Sequence, residues 1–434
     1  MIELLGKSHP CECGRTHLVS TQGVSIESDA LRLVSPFLSG FSDILLVADS
    51  HTWKAAGEQT AEVLCGAGFA VKTCILPGDI VCATEEQIGR VLLAADPTPS
   101  FVLAVGSGTV NDIARYVARR IGVEYGVVAT ASSMDGYASN VSPLLREGVK
   151  VTYPGQAPRI VVGDVGVLCA APPFMAAAGL GDVLGKITAR LDWRLGHVLE
   201  GEYYCPWVDG LVLDAIQGVL ELPENAQRSQ TVVAVLDGLV ATGLCIQMCN
   251  DSRPASGSEH HIAHFLEMRG GNPCALHGQH VGIAVFLMMR LYEKFFLLEE
   301  LPALPTIDYA VWESGLQNAF DSMAGELLEQ MNPWAYVQPQ DWDAQRKQLG
   351  LVWEQYRQET ANFPGIRAKG KCALKSLGGV TTPQELGYSR ELMMDSLRYA
   401  WAIRPHKQTL LRLIMQLGLL ETMAQEVLEE VYGA

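Results

Sequence analysis

The chain is 434 residues long, 48% hydrophobic, and carries a formal net charge of −16. That length suits two domains with sizeable cores. The acidic balance argues against nonspecific nucleic-acid or anionic-membrane binding, so an anionic substrate would need a local basic pocket. The start, MIELLGKSHPCECGRTH, lacks the long apolar core of a secretory signal. No apolar run reaches the roughly eighteen residues needed to cross a bilayer; the best candidate, VGIAVFLMM from Val281, is stopped by Arg290. A cytoplasmic location is therefore expected. The 11 cysteines are scattered, most in apolar contexts such as Cys65, Cys74 and Cys245, which suits reduced core thiols better than a disulfide framework. Cys11, Cys13 and His17 cluster near the start. Their Cys-x-Cys spacing has no second matching pair, so a packed N-terminal turn competes there with structural zinc.

From Asp43 the pattern becomes βα. DILLVAD reads as a buried strand, residues 52–67 as a helix, AVKTCIL as a strand, residues 84–95 as a helix, and FVLAVGSG as a third strand. Strands alternating with helices imply a parallel sheet covered on both faces. EYGVVATAS adds another buried strand, and residues 147–167 read as a hairpin-like excursion of two short β-rich runs around a Pro/Gly turn. Beyond it almost every segment shows helical periodicity. The expected architecture is an α/β nucleotide-binding domain over residues 1–167 and an all-helical domain over 168–434, with a small-molecule site in a cleft between them. Residues 301–360 look like amphipathic helices joined by loops and carry no legible chemistry.

VLAVGSGTVNDIARYVA is a strand, a glycine turn and a helix in succession. Gly106 and Gly108 would let a backbone approach a pyrophosphate at a helix N-terminus. Asn111 stands where a dinucleotide fingerprint has its third glycine, so a plain tight βα turn competes with phosphate binding. The loop TASSMDGYAS offers hydroxyls and a carboxylate after the next strand, residue types that also serve as turn and cap chemistry. Asp49 ends the first strand of the series. A carboxylate there can accept bonds from an adenosine ribose and repel a 2′-phosphate, favouring NAD over NADP, or can cap the following helix.

Asp182 in GLGDVLGK, His260 and His264 in SGSEHHIAHFLE, and His277 in ALHGQHVG supply a carboxylate and imidazoles on helix-like segments. His260 and His264, four residues apart, share a helix face, whereas His261 points about 100° away. One carboxylate and two imidazoles would leave coordination positions open for substrate, as a catalytic divalent-metal site requires. The competing reading is a helix cap and ordinary polar neighbours. On spacing alone His280 rivals His277. Lys186, one turn beyond Asp182, and the group Arg404, His406 and Lys407 could receive a phosphate, or could pair with acids and a helix end.

Together and in this order, GSGTVND, TASSMDGYAS, GLGDVLGK, SGSEHHIAH and LHGQHVG resemble the metal-dependent (iron-containing) alcohol dehydrogenase and dehydroquinate synthase superfamily, and within it the sn-glycerol-1-phosphate dehydrogenases. The resemblance runs over residues 43–283 and has no counterpart over 301–360. It implies a Rossmann-like N-terminal domain and a helical, metal-binding C-terminal one. It implies that Gly106, Ser107, Gly108, Thr109 and Val110 hold the NAD or NADP pyrophosphate, and that Thr130, Ser133 and Ser139 line the nicotinamide side. Asp135 would touch substrate. Asp182, His260 and His277 would bind one divalent ion, zinc first with nickel or iron possible, and His264 would contact substrate. The implied reaction is reversible reduction of dihydroxyacetone phosphate to sn-glycerol 1-phosphate by a homodimer acting on a phosphorylated triose, with neither nucleic-acid nor membrane partners. A glycerol or polyol dehydrogenase, a dehydroquinate synthase-like cyclase and a non-catalytic nucleotide-binding relative are the alternatives. Only Lys186, Arg190 and Arg290 accompany the implied ligands, few cations for the cyclase.

Overall fold

A computed structural model describes residues 2–147, 149–223, 225–272, 275–305, 309–320, 324–331 and 339–433. They form two compact units, residues 1–183 with 207–252 and residues 184–206 with 253–434.

The first unit opens with an antiparallel hairpin, β1 (Ser8–Pro10) and β2 (Thr16–Leu18). It is then built on six strands: β3 (Gly23–Glu27), β4 (Asp43–Asp49), β5 (Ala70–Leu76), β6 (Phe101–Gly106), β7 (Glu124–Ala129) and β10 (Ile160–Asp164). They lie in the order β3-β10-β7-β6-β4-β5, every neighbouring pair parallel. The central strands are apolar between their ends because helices cover both faces, and β6 is buried at all six positions. β5, at the edge, is mostly exposed or half-buried, with Lys72 among its outward residues. The short helices α1 (Val34–Phe37) and α2 (Ser50–Thr52) precede α3 (Glu58–Gly66), α4 (Glu85–Ala94) and α5 (Gly108–Ile121).

Two features differ from the expected pattern. The β-rich stretch over residues 147–167 is not one excursion. Its first run, β9 (Val149–Pro154), pairs antiparallel with β8 (Val141–Arg146), while its second is β10, inserted into the main sheet between β3 and β7. A short apolar strand carries no local mark of whether its partner is adjacent or distant, and β3 was equally silent.

After β10 come α6 (Val165–Ala170), α7 (Pro173–Glu200), α8 (Pro206–Leu220) and α9 (Arg228–Cys249). The second difference concerns α9. It is long and apolar enough to span a bilayer, contrary to the expectation that no such run exists; 83% of its most apolar window is buried inside the protein, as for a core helix. Asp237 interrupts the run in the sequence and hides its length.

The second unit contains the later part of α7 and then α10 (Ser258–Arg269), α11 (His277–Phe296), α12 (Tyr309–Phe320), α13 (Ala324–Met331), α14 (Pro339–Thr360), α15 (Phe363–Ser376), α16 (Arg390–Tyr399), α17 (Leu410–Gln416) and α18 (Leu420–Tyr432). Its core includes a stack in which Phe296 on α11 lies 4.6 Å from both Trp353 and Tyr356 on α14. Burying rings of this size is worth about 2–3 kcal/mol each, which gives α14 its packing role. Part of the 301–360 segment falls outside the described residues.

Candidate active site

The strand-turn-helix of the glycine motif forms as read. β6 ends at Gly106, Ser107 is extended, and α5 begins at Gly108, leaving Thr109 and Val110 in its first turn. A Cβ on Gly106 would lie 2.6 Å from Val110 Cβ, so the turn can close only around glycine. Ser107 makes no side-chain cap, and the first N–H groups of α5 are those available to an anion. Asn111, in the third-glycine position, is buried and donates its amide to Gly136 O at 3.2 Å. This explains the departure from the fingerprint: the side chain ties α5 to the next loop.

That loop, residues 130–139, is held from several directions. The buried Arg115 guanidinium of α5 donates to Gly136 O, to Tyr137 O at 3.3 Å and to Val141 O at 2.6 Å, with Asp112 at 2.8 Å as its counter-ion. Ser133 Oγ pairs with the Tyr137 hydroxyl at 3.3 Å, and Ser139 Oγ accepts from Val141 N at 3.2 Å. Thr130 is buried, its N–H donating to Gly106 O at 3.2 Å. Burial pushes the Tyr125 hydroxyl up to about 12 despite the adjacent Arg115. Gly179 of α7 lies against Ser132 O, where a side chain could not fit. From this loop the Asp135 N–H donates to Asp182 Oδ2 at 2.9 Å. Within the first unit, therefore, the glycine turn, the hydroxyl-rich loop and the fully buried Asp182 are contiguous. Asp49 caps α2, its Oδ1 accepting from His51 N and Thr52 N at 2.8 Å each.

The division between the units falls inside α7, just after Asp182, so this unbroken helix carries Asp182 and, one turn on, Lys186. Lys186 is fully buried with Nζ 3.4 Å from His260 Nε2. Within the second unit, ligand atoms of His264, Glu267 and His277, one from each, lie within 4.8 Å of one another, and the His260 and His277 rings are 5.3 Å apart. The rings of His264 and His277 are stacked at 5.3 Å. His280, the alternative that spacing left open, pairs through Nε2 with the Tyr388 hydroxyl at 2.6 Å.

Sequence reasoning missed two carboxylates behind the histidines. Glu259 Oε1 takes His260 Nδ1 at 2.8 Å and its other oxygen accepts from Thr188 Oγ1 at 2.6 Å. Burial raises its pKa, but bonds from His260, Thr188 and Gly257 N outweigh that, and it lies below the ordinary value. Glu267 bridges two rings, with Oε1 2.7 Å from His277 Nδ1 and Oε2 3.0 Å from His264 Nδ1. In each case Nδ1–H donates to a carboxylate and Nε2 keeps its lone pair, the arrangement that orients imidazoles toward a cation. The donor set fits a divalent metal on this ground. Glu267 lies three residues after His264, a spacing that hinted at the contact.

Asp192, further along α7, fixes the approach to α10. Its Oδ2 accepts from Ser258 N at 2.6 Å, while Oδ1 accepts from Leu410 N at 2.7 Å and the Tyr292 hydroxyl at 2.6 Å. Burial and the nearby Glu259 push it up to about 6 against those three bonds. Three of the remaining cations considered from sequence are engaged with acids: Arg190 with Glu359 at 3.6 Å, Arg290 with Glu430, and Lys407 with Glu202 at 3.4 Å.

The sequence profile of the iron-containing alcohol dehydrogenase family matches residues 25–172. The chain is 34% identical to a glycerol-1-phosphate dehydrogenase [NAD(P)+] of Halalkalibacterium halodurans over 295 residues, 65% of this chain and 74% of that one. It is 30% identical to the enzyme of the same name from Geobacillus thermodenitrificans over 416 residues, 93% and 94% of the two chains. Among solved structures, a probable glycerol dehydrogenase from Sinorhizobium meliloti superposes with a TM-score of 0.66 at 13% identity, covering 95% of this chain and 98% of that one. Sulfoacetaldehyde reductase from Bifidobacterium kashiwanohense, in complex with NAD+, gives 0.61 at 14% identity, with 94% and 96% covered. These structural likenesses bear on the fold.

Proposed function

We propose, for a chain that belongs to the glycerol-1-phosphate dehydrogenases of the iron-containing alcohol dehydrogenase family, that it interconverts dihydroxyacetone phosphate and sn-glycerol 1-phosphate with NAD(P)H and a divalent metal. The observation that carries this reading is the continuous path, within one unit, from the glycine turn through Asn111 and Gly136 to Asp135 and Asp182. It ties a nucleotide-phosphate cradle to a metal-type carboxylate.

Asp182, His260 and His277 would hold the metal. When bound, the cation supplies Lewis acidity for the substrate oxygen and the nucleotide supplies the hydride. The chain's own residues do the rest. Gly106, Ser107, Gly108, Thr109 and Val110 offer backbone donors at a helix N-terminus for a pyrophosphate, and Thr130, Ser133 and Ser139 wall the nicotinamide side. Asp49 has both cap bonds on Oδ1, leaving Oδ2 for a ribose hydroxyl, which favours NAD. Asp135 lies beside Asp182 for substrate contact, and His264, its Nδ1 held by Glu267, keeps Nε2 for exchanging a proton with a substrate hydroxyl. Zinc leads, with nickel or iron as alternatives. The proposal includes a cytoplasmic homodimer working on a small phosphorylated triose, and a division of labour in which the α/β part binds nucleotide and the helical part holds metal.

The test is NADH and NADPH oxidation with dihydroxyacetone phosphate against unphosphorylated dihydroxyacetone, under added zinc, nickel or iron. Turnover of the phosphorylated ketone, lost together with metal binding in a folded Asp182→Ala variant, is expected. A preference for dihydroxyacetone, or a fully active Asp182→Ala protein, overturns the reading.

A further inference from the structure

We infer that the chain carries a second metal site, structural in type, in which Cys11, Cys13 and His17 hold a zinc ion. It is independent of the proposed active site. One ligand atom from each of these three residues, all in the first unit, lies within 4.8 Å of the others. In a tetrahedral zinc site with Zn–S near 2.3 Å, neighbouring ligand atoms are about 3.8 Å apart. A contraction of at most about 1 Å therefore converts the observed cluster into a coordination shell, within side-chain rotation.

The local fold prepares that shell. Cys11 and Cys13 sit in the loop of the β1–β2 hairpin, closed by Cys11 N donating to Arg15 O and Gly14 N to Cys11 O, each at 3.1 Å. Gly14 has φ +85°, the left-handed conformation that turns the Cys-x-Cys-Gly knuckle and lets both thiols face one way. His17 lies on β2, wholly buried, with Nδ1 2.8 Å from Met248 O. A carbonyl only accepts, so Nδ1 bears the proton and Nε2 presents a lone pair. That Nε2 lies 3.4 Å from Cys13 Sγ. A backbone carbonyl fixing the tautomer from behind is what zinc-ligating histidines use. Trp207, in the first turn of α8, packs edge-on against His17 at 5.6 Å.

Chemistry separates this site from the first. Two thiolates and an imidazole make a soft set that favours zinc, whereas the carboxylate and imidazoles proposed for the active site form a harder one.

The experiment is metal analysis and cobalt spectroscopy of the full chain, unsubstituted and as Asp182→Ala, purified with reductant. The expected result is about one equivalent of zinc retained by Asp182→Ala, with intense thiolate-to-cobalt charge-transfer absorption after exchange with cobalt(II), and loss of both on adding Cys13→Ser. Should the Cys13→Ser protein fail to fold, the cobalt spectrum of the Asp182→Ala protein decides alone. No zinc in Asp182→Ala and no thiolate band overturn the inference. So does an unreduced mass two hydrogens lower without zinc, which would make the cluster a disulfide. If the active-site reading fails instead, Asp182→Ala and the unsubstituted chain hold equal metal and the thiolate band persists.

Discussion

Replacing Glu267 by glutamine tests whether the histidines are built to hold a cation. The carboxylate accepts from His277 Nδ1 at 2.7 Å and His264 Nδ1 at 3.0 Å. A glutamine of the same size has one oxygen and one NH2 group, so it can accept from only one ring and must present donors to the other. That ring either loses its bond or moves its proton to Nε2, which withdraws the lone pair a metal needs. Charge-assisted bonds of this kind contribute about 1.5–3 kcal/mol each. Loss of one therefore weakens divalent-metal binding by roughly 10- to 100-fold, the range typical of carboxylates behind metal-bound histidines. Calorimetric titration of the apo-protein with zinc or nickel reads the dissociation constant, and circular dichroism checks the fold. An unchanged dissociation constant in a folded Glu267→Gln protein would refute the role given to both histidines.

The remaining predictions concern the framework. Asp192 has a folded-state pKa of about 6 against 3.8 for the free side chain, so its contribution to stability is present in full below 3.8 and is lost as the pH rises through 6. Relative to Asp192→Asn, the unsubstituted chain should gain about 1 kcal/mol on going from pH 7 to pH 5; a difference in urea-unfolding free energies that is flat with pH defeats this. Gly179→Ala would push a Cβ into Ser132 O, a backbone obstacle that cannot rotate away. It should cost about 3 kcal/mol or more and loosen the 130–139 loop, and a variant within about 0.5 kcal/mol of the parent in thermal or urea unfolding would show the contact to be soft.

The parts of the fold that announce themselves in the sequence are those whose burial is symmetrical. DILLVAD and FVLAVG read at once as strands because helices cover both their faces. GVSIE escaped because β3 is short and peripheral; IVVGD was read as a β run, but the place of β10 depends on partners more than 30 residues away, information that no window around it contains. The site divides in the same way. Asp182, His260 and His277 stood out because ligand types and helical spacing are local. Glu259 and Glu267 did not, since an acid beside a histidine is commonplace until the rings' orientation shows which nitrogen it meets. Asn111 looked like a defect in a fingerprint; its amide bond to Gly136 O gives it a purpose that only the folded loop reveals.

The bonds from Ser258 N and Leu410 N to Asp192 join points 66 and 218 residues away from it along the chain. The helix bearing His260 begins at Ser258 and is anchored by a carboxylate whose second oxygen waits for the segment at Leu410. During synthesis the N-terminal sheet can assemble while translation continues, but this anchor closes only after nearly the whole polypeptide has left the ribosome. Ribosome-bound fragments ending before Leu410 would therefore carry the start of that helix without the full set of bonds at Asp192.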